Sequence, residues 1–315
     1  MHKFDIHPAN TTFWNRDDFI KFLINNQGQS INITTSKEGP CLDTIGVYRL
    51  LEQFNYKNVT IQTNNLLEQH AQYQIQFINP FGFFKIEHCN YNKFHAWNQA
   101  KIFGCFYNRP LWYRIGLAAN LQFTYADCST INVRCDPSKI DKRVLFETQQ
   151  LFENHLDSFI KFSNVVNCWP IQLETIDTYG FCNTSEHTDQ LAEFYLNFLI
   201  DVVAETWTAG RTFFSTEKTV RPMLLKKPFI VMGSRDYLCY LRQLGFRTFN
   251  DFWSEDYDGY EGQERYIKIL QLIDNLSKKS KSELNDMYCS MKYTLDHNYD
   301  LLQNQNYTTD ISYIE

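Results

Sequence analysis

From 198 to 233 the chain reads FLIDVVAETWTAGRTFFSTEKTVRPMLLKKPFIVMG: an apolar run, a polar loop, an amphipathic stretch and a second apolar run. This order spells strand (198–204), loop, helix (216–226) and strand (228–233), which is one βαβ unit of a parallel sheet. In open parallel sheets, ligands sit outside the carboxyl ends of the strands. Glu205 closes the first strand there, Thr206 follows in the loop, and Ser215 or Thr216 can cap the helix. The free N–H groups and positive dipole end of such a helix attract phosphate, and Lys218 adds an ammonium beside them.

Local charge supports an anionic ligand although the chain as a whole is acidic, with a formal net charge of −6. Arg211, Lys218, Arg221, Lys226, Lys227, Arg235, Arg242 and Arg247 stand against only Glu217 and Asp236. From 251 to 264 the sign reverses, with six acids and no Lys or Arg. That acidic stretch reads either as a metal patch or as the solvated entrance to a helix at 265–276, and the second reading is preferred. Global acidity argues against extended duplex nucleic-acid binding.

The first half carries a βαβ pattern of its own: an alternating strand at 29–35, an amphipathic helix at 43–54 and a strand at 58–63. A short helix at 66–70 and a strand at 73–78 follow. The loop Ser36-Lys37-Glu38-Gly39-Pro40-Cys41 then lies at the carboxyl end of the first of these strands. A second unit begins near 99, with a strand at 101–107, a turn at Asn108-Arg109-Pro110 and a helix at 111–121 that Pro110 opens. Arg109 and Arg114 can present guanidinium forks to a diphosphate there. Residues 137–162 read as a helix, 236–244 as another that Gly245 stops, and the Asn/Gln/Tyr-rich stretch from Asn298 as a peripheral tail. The expected architecture is α/β with two Rossmann-like domains and a cleft between them. Residues 1–98 form one domain, 99–280 the other, and 281–315 a C-terminal helix and tail.

Composition narrows the class. At 43% hydrophobic and 16% aromatic, 315 residues suffice for two packed cores and argue against disorder. No apolar run is long enough to span a bilayer, and the start Met1-His2-Lys3-Phe4-Asp5 lacks the order of a signal peptide, so a cytoplasmic location is expected. The nine cysteines contain no CxxC and their number is odd; free thiols are the better reading, and no dedicated zinc site is expected.

The 205–233 segment resembles the donor-binding half of GT-B glycosyltransferases, most closely the fucosyltransferase-like group. There a strand ends in Glu, a loop leads to Thr-Glu-Lys at a helix start, and a Pro-containing strand ends near Gly. Here these are Glu205, Thr216-Glu217-Lys218 and 228–233. Trp207 and Lys227 depart from the family's usual small residues. Over most of its length the chain is also similar to uncharacterised glycosyltransferase-like proteins of large phages and aquatic bacteria. They share stretches that read here Glu38-Gly39-Pro40-Cys41, TNNLLE at 63–68, FGCFYNRPLWYR at 103–114 and LRQLGFRTF at 241–249.

These resemblances imply transfer of a sugar from a nucleoside-diphosphate sugar to a glycan, protein or nucleic-acid acceptor without a bound metal or other cofactor, in the cytoplasm of a cell or of a phage-infected host. Glu205 or Glu217 would accept ribose hydroxyls. Lys218, Arg109 and Arg211 would carry the phosphates, with Arg114, Thr206, Ser215 and Thr216 around them. Glu38 is the first choice of general base, ahead of Asp43 and His95. A phosphotransferase reading lacks any P-loop or kinase signature. A non-catalytic nucleotide-binding or host-interaction protein on a degenerate transferase fold stays open.

Overall fold

The computed structural model describes residues 2–6, 8–10, 13–35, 39–78, 95–107, 111–133 and 194–304. Glu38, Arg109 and the helix expected at 137–162 lie outside them. The chain is mixed α/β with two parallel sheets.

The first sheet is laid down near the amino terminus. Strand β1 (His2–Asp5) is followed by a small antiparallel pair, β2 (Pro8–Asn10) and β3 (Phe13–Trp14), and by α1 (Arg16–Asn25). Then come β4 (Ile31–Thr34), α2 (Val47–Gln53), β5 (Val59–Thr63) and β6 (Gln74–Phe77). Strands β1, β4, β5 and β6 pair in parallel in that spatial order. Their register puts Phe4, Ile33, Ile61 and Ile75 in one row, and Lys3, Asn32, Thr60 and Gln74 in the next. Because side chains alternate across a strand, the apolar row faces one way and the polar row the other. Phe19 and Leu23 of α1, with Val47, Leu50 and Leu51 of α2, complete the core on the apolar side.

The short helix expected at 66–70 does not form. The Oδ1 of Asn65 accepts from the main-chain N–H of Leu67 at 3.1 Å, and Glu68 turns inward to accept from the N–H of Leu42 at 3.0 Å. Side-chain bonds to the backbone compete with the helical ladder, and over so short a stretch they prevail.

The second sheet contains β7 (Phe103–Tyr107), β8 (Ser129–Val133) reached through α3 (Trp112–Thr124), β9 (Ile200–Ala204), and β10 (Phe229–Met232) reached through α4 (Glu217–Leu224). All pairings are parallel and the spatial order is β10-β9-β7-β8. Every residue of β7, β9 and β10 is buried, which is why these strands read as near-continuous apolar runs, broken by Asp201 in β9, whose carboxylate accepts from the Tyr195 hydroxyl. From β7 the chain steps to one side for β8, and β9 later pairs on the other side, so the direction of winding reverses between β7 and β9.

Helix α4 is shorter than the expected 216–226. Thr216 caps it, accepting from the N–H of Lys218 at 3.3 Å, and Pro222 withholds the N–H that would bond the carbonyl of Lys218. Lys226 lies beyond its end at a φ of 51°. Helix α5 (Tyr237–Gln243) stops ahead of Gly245, whose φ is 100°. Three helices follow: α6 (Gly262–Ser277), α7 (Lys281–Ser290), opened by a Ser280/Glu283 capping box, and α8 (Lys292–Asn304). The stretch from Asn298, expected as a tail, is helical through Asn304. Leu295, Asn298 and Leu302 share one buried face, and Asn298 exchanges two 2.8 Å hydrogen bonds with the main chain of Arg247. Leu284, Tyr288, Leu295 and Leu302 belong to the same core as the second sheet.

The loops leaving the carboxyl ends of the two sheets pack on each other. Leu66 and Leu67, just past β5, are buried in the core of the second sheet, and the N–H of Leu66 donates to the carbonyl of Phe213 at 3.2 Å. A Cβ at Gly39 would come within 2.7 Å of the Phe214 side chain, and one at Gly210 within 2.1 Å of the Thr44 hydroxyl. Gly210 also sits at a φ of 72°, so position 210 needs glycine on two counts. The loop at 36–41 thus touches the 205–219 stretch directly over its described part, 39–41.

Candidate functional site

In open parallel sheets, binding crevices form outside the carboxyl ends of the strands where the winding reverses. That point lies here between β7 and β9, and Glu205 is the first residue past β9. Its carboxylate is fully buried. Oε1 accepts from the Thr216 N–H at 3.1 Å, the Thr219 hydroxyl at 2.5 Å and the Tyr237 hydroxyl at 3.1 Å. Oε2 accepts from the Thr216 hydroxyl at 2.5 Å. Ser215, equally buried, has its Oγ 2.7 Å from the Tyr237 hydroxyl. Glu205 thus fixes the amino end of α4 to the end of β9, favoured there by the helix dipole. Both its oxygens are engaged by protein groups.

Glu217 is the carboxylate left at the surface of this end, keeping 36% of its side-chain exposure. Lys218 Nζ lies 2.7 Å from Glu217 Oε1 and donates to the Thr216 hydroxyl at 3.1 Å. Burial pushes the Glu217 carboxyl up, but the Lys218 ammonium and the Arg221 guanidinium outweigh it and hold it at about 2.

Across the winding reversal, α3 grips the same corner. The Tyr113 hydroxyl donates to the carbonyls of Glu205 at 2.6 Å and Thr206 at 3.0 Å. Arg114 is buried to 2% exposure, donating from Nε to the Ala204 carbonyl at 3.1 Å and from Nη2 to the Thr206 hydroxyl at 3.3 Å. It makes no ion pair with a carboxylate among the described residues. A buried guanidinium without a counter-charge is expensive, and a bound anion would relieve it. Glu205, Thr206, Ser215, Thr216, Glu217, Lys218 and Arg114 therefore share one corner of the second sheet.

Arg211 points elsewhere. With the Gln69 amide oxygen turned toward it, its two terminal nitrogens donate at 2.9 and 2.6 Å, so the side chain reaches the first half of the chain. The other bases of the 211–247 cluster are dispersed as well. Lys226 pairs with Asp296 at 2.7 Å, Arg242 with Glu255 at 3.1 Å, Lys227 is buried against the Phe198 carbonyl, and Arg247 lies over the Tyr293 ring. The dense run of charge in sequence is not one patch in space.

The acidic stretch is structural. Asp258 accepts from the N–H groups of Leu238 and Cys239 at the start of α5 and pairs with buried Arg265 at 3.0 Å. Glu255 accepts from the Thr248 hydroxyl and the Phe249 N–H. Among the described residues no group of three or more His, Cys, Asp or Glu could hold a metal ion, the cysteines are free, and no helix is long and apolar enough to cross a membrane.

A cavity of about 900 Å³ opens where the two halves meet, between α2, the 67–71 loop and the Gly210-Arg211 turn. At its wall the Tyr48 hydroxyl donates to Glu68 Oε1 at 2.6 Å, and Asn65 Nδ2 donates to Glu68 Oε2 at 3.2 Å. Burial raises the carboxyl of Glu68 above its ordinary range, opposed by these hydrogen bonds. Asp43 lines this cavity. His95 does not: its carbonyl accepts from the Tyr288 hydroxyl, which also donates to the Lys226 carbonyl past the end of α4. Tyr48, Arg49, Glu52, Glu68 and His70 were not singled out by sequence reasoning. The signal for Glu68 was its place just beyond the second strand of a parallel sheet, obscured by the expected helix.

No protein-family model, no curated protein and no solved structure matches the chain.

Proposed function

We propose that each parallel sheet is the centre of a Rossmann-like domain and that the chain is a glycosyltransferase, holding a nucleoside-diphosphate sugar at the carboxyl edge of the second sheet. The reading rests above all on Arg114, a buried guanidinium without a carboxylate partner among the described residues, set beside the winding reversal and the amino end of α4. Lys218 and Arg114 carry the diphosphate, and Glu217 accepts from the ribose. Charge grows on the diphosphate as the glycosidic bond breaks, so fixed cations act most strongly in the transition state. Glu205 acts through α4, holding Thr216 and Thr219 and thereby the position of Lys218.

A second reading, nucleotide binding without transfer, draws support from the Lys218 ammonium, already paired with Glu217 at 2.7 Å. Calorimetry against uridine and guanosine diphosphate sugars, followed by an assay of donor turnover, separates the two. The transferase reading expects one donor to bind, Lys218→Ala and Arg114→Met to weaken it at least tenfold, and Lys278→Ala, which removes an exposed pair with Asp274, to leave it unchanged. Binding without turnover in the presence of any acceptor supports the second reading, and the absence of binding by every sugar nucleotide ends both.

A further inference from the structure

The outer strands of the two parallel sheets, β1, β6, β8 and β10, are guarded unequally. Strand β1 carries Lys3 and Asp5, and β8 and β10 are buried apart from Thr130. Strand β6 has neither protection. Gln74, Gln76 and Phe77 are exposed, Phe77 at 50%, and no Asp, Glu, Lys or Arg stands anywhere from 69 to 84 in a chain that is 21% charged. An outer strand offers unpaired N–H and C=O groups to any other strand, and charge, proline or burial is the usual means of blunting it. An exposed edge with an apolar ring and no charge therefore marks a pairing surface.

The main chain of β6 sets the register that such a pairing must take. Ile78 donates its N–H to the Thr63 carbonyl at 2.7 Å, and because alternate residues of a strand turn the same way, Gln74 and Gln76 also spend their main-chain groups on β5. Those of Ile75 and Phe77 point to the open side, where no described residue bonds to them. In antiparallel pairing, directly opposed residues exchange both N–H···O=C bonds. A second β6, related by a two-fold axis through Gln76 and normal to the sheet, sets Ile75 of each copy opposite Phe77 of the other and satisfies all of these groups. Ile75 and Phe77 lie on the face of the sheet that carries α1 and α2, so each exposed Phe77 ring gains an apolar neighbour. On the other face the two Gln76 side chains meet. In each, Oε1 already accepts from Gln62 Nε2 at 3.1 Å, which leaves the Gln76 Nε2 to donate across the axis.

We propose that the chain pairs with a second copy of itself, antiparallel along β6, joining two four-stranded sheets into one. The occupant is a second copy because this register uses the edge's own sequence twice, opposes no like charges and leaves no outward main-chain group of Ile75 or Phe77 over. One strand edge is short beside the ~1,600 Å² of a standard interface, so the dimer forms as a function of concentration. The pairing is independent of the transferase reading.

The test is sedimentation velocity on the full chain over a concentration series, with amide hydrogen exchange followed by NMR. Wild type is expected to pass from monomer to dimer as concentration rises, and the Ile75 and Phe77 amides to exchange more slowly as it does, while those of Gln74 and Gln76 stay unchanged. Gln76→Glu and Gln76→Lys, at an exposed position, each set like charges opposite one another and should weaken the dimer at least tenfold; an equimolar mixture of the two should restore it. A chain that stays monomeric at every concentration, a dimer indifferent to both variants, or a mixture that fails to recover it overturns the proposal. Slow exchange of Ile75 and Phe77 already in the monomer also overturns it, because the edge is then covered within the chain.

Discussion

Phe213 donates its main-chain N–H to the Oδ1 of Asn65 at 2.8 Å, across 148 positions of sequence. The same Asn65 oxygen accepts from the Leu67 N–H, while Nδ2 donates to the Arg211 carbonyl at 2.9 Å and to Glu68. One buried amide therefore orders the turn after β5 and fastens it to the loop after β9.

Replacing Asn65 by Ala strands the N–H groups of Phe213 and Leu67 in a buried joint. At about 1–3 kcal/mol for each unsatisfied group, the loss should reach a few kcal/mol. Urea denaturation is the measurement. Stability within about 0.5 kcal/mol of wild type, the scatter of neutral surface changes, would show that the joint relaxes around the gap.

Glu205→Gln and Glu217→Gln should behave differently. Glu205 is wholly buried with four donors on it, so an amide there sets its NH2 against the Thr216 N–H or hydroxyl and costs about 1–3 kcal/mol. Glu217 keeps 36% of its side-chain exposure, and a Gln there keeps an oxygen that can accept from the Lys218 ammonium, so the smaller loss of about 1 kcal/mol is expected. Melting curves and sugar-nucleotide affinities taken side by side should show a large stability loss for the first, and weakened binding with a near-normal melting temperature for the second.

Lys227 lies buried with its Nζ on the Phe198 carbonyl and over the Tyr288 ring, and burial pushes its pKa from 10.5 down to about 7. The unfolded chain thus holds a proton that the folded chain has begun to release. The contribution of this group to stability is full above pH 10.5 and is lost progressively as the pH falls to about 7. At 1.36 kcal/mol per pKa unit, the cost near neutrality is on the order of a few kcal/mol. Lys227→Met should therefore be more stable than wild type at pH 7, with the advantage shrinking as the pH approaches 10.5; a gap independent of pH would assign it to packing alone.

Asp258→Ala removes the partner of buried Arg265 and the acceptor for the first N–H groups of α5. Breaking such a pair from one side costs about 3–5 kcal/mol. The double variant Asp258→Ala, Arg265→Met should recover part of that loss in chemical denaturation, since it no longer leaves a charge uncompensated.

The sequence by itself determined most elements of the βαβ units, although helix α2, expected at 43–54, begins only at Val47, after the turn closed by Gly46 at a φ of 79°. Strands β4, β5, β7, β9 and β10 and helices α3, α4 and α5 lie where alternation, apolar runs, Thr216, Pro110 and Gly245 place them, because strand period and capping are local properties of the chain. It also marked Thr216-Glu217-Lys218 as a helix start at a strand's carboxyl end. Only the tertiary structure decided what those side chains do. Local sequence cannot tell that four donors would converge on Glu205, that Arg114 would be buried without a carboxylate partner among the described residues, or that Arg211 would turn to the first half of the chain. It cannot send Lys226 to Asp296, Arg242 to Glu255 and Lys227 into the core, nor show that Asn65 and Glu68 would outcompete a helix at 66–70. Each of these outcomes depends on partners far away in sequence, and burial, which makes a hydrogen bond or a charge matter, exists only once the two sheets have met.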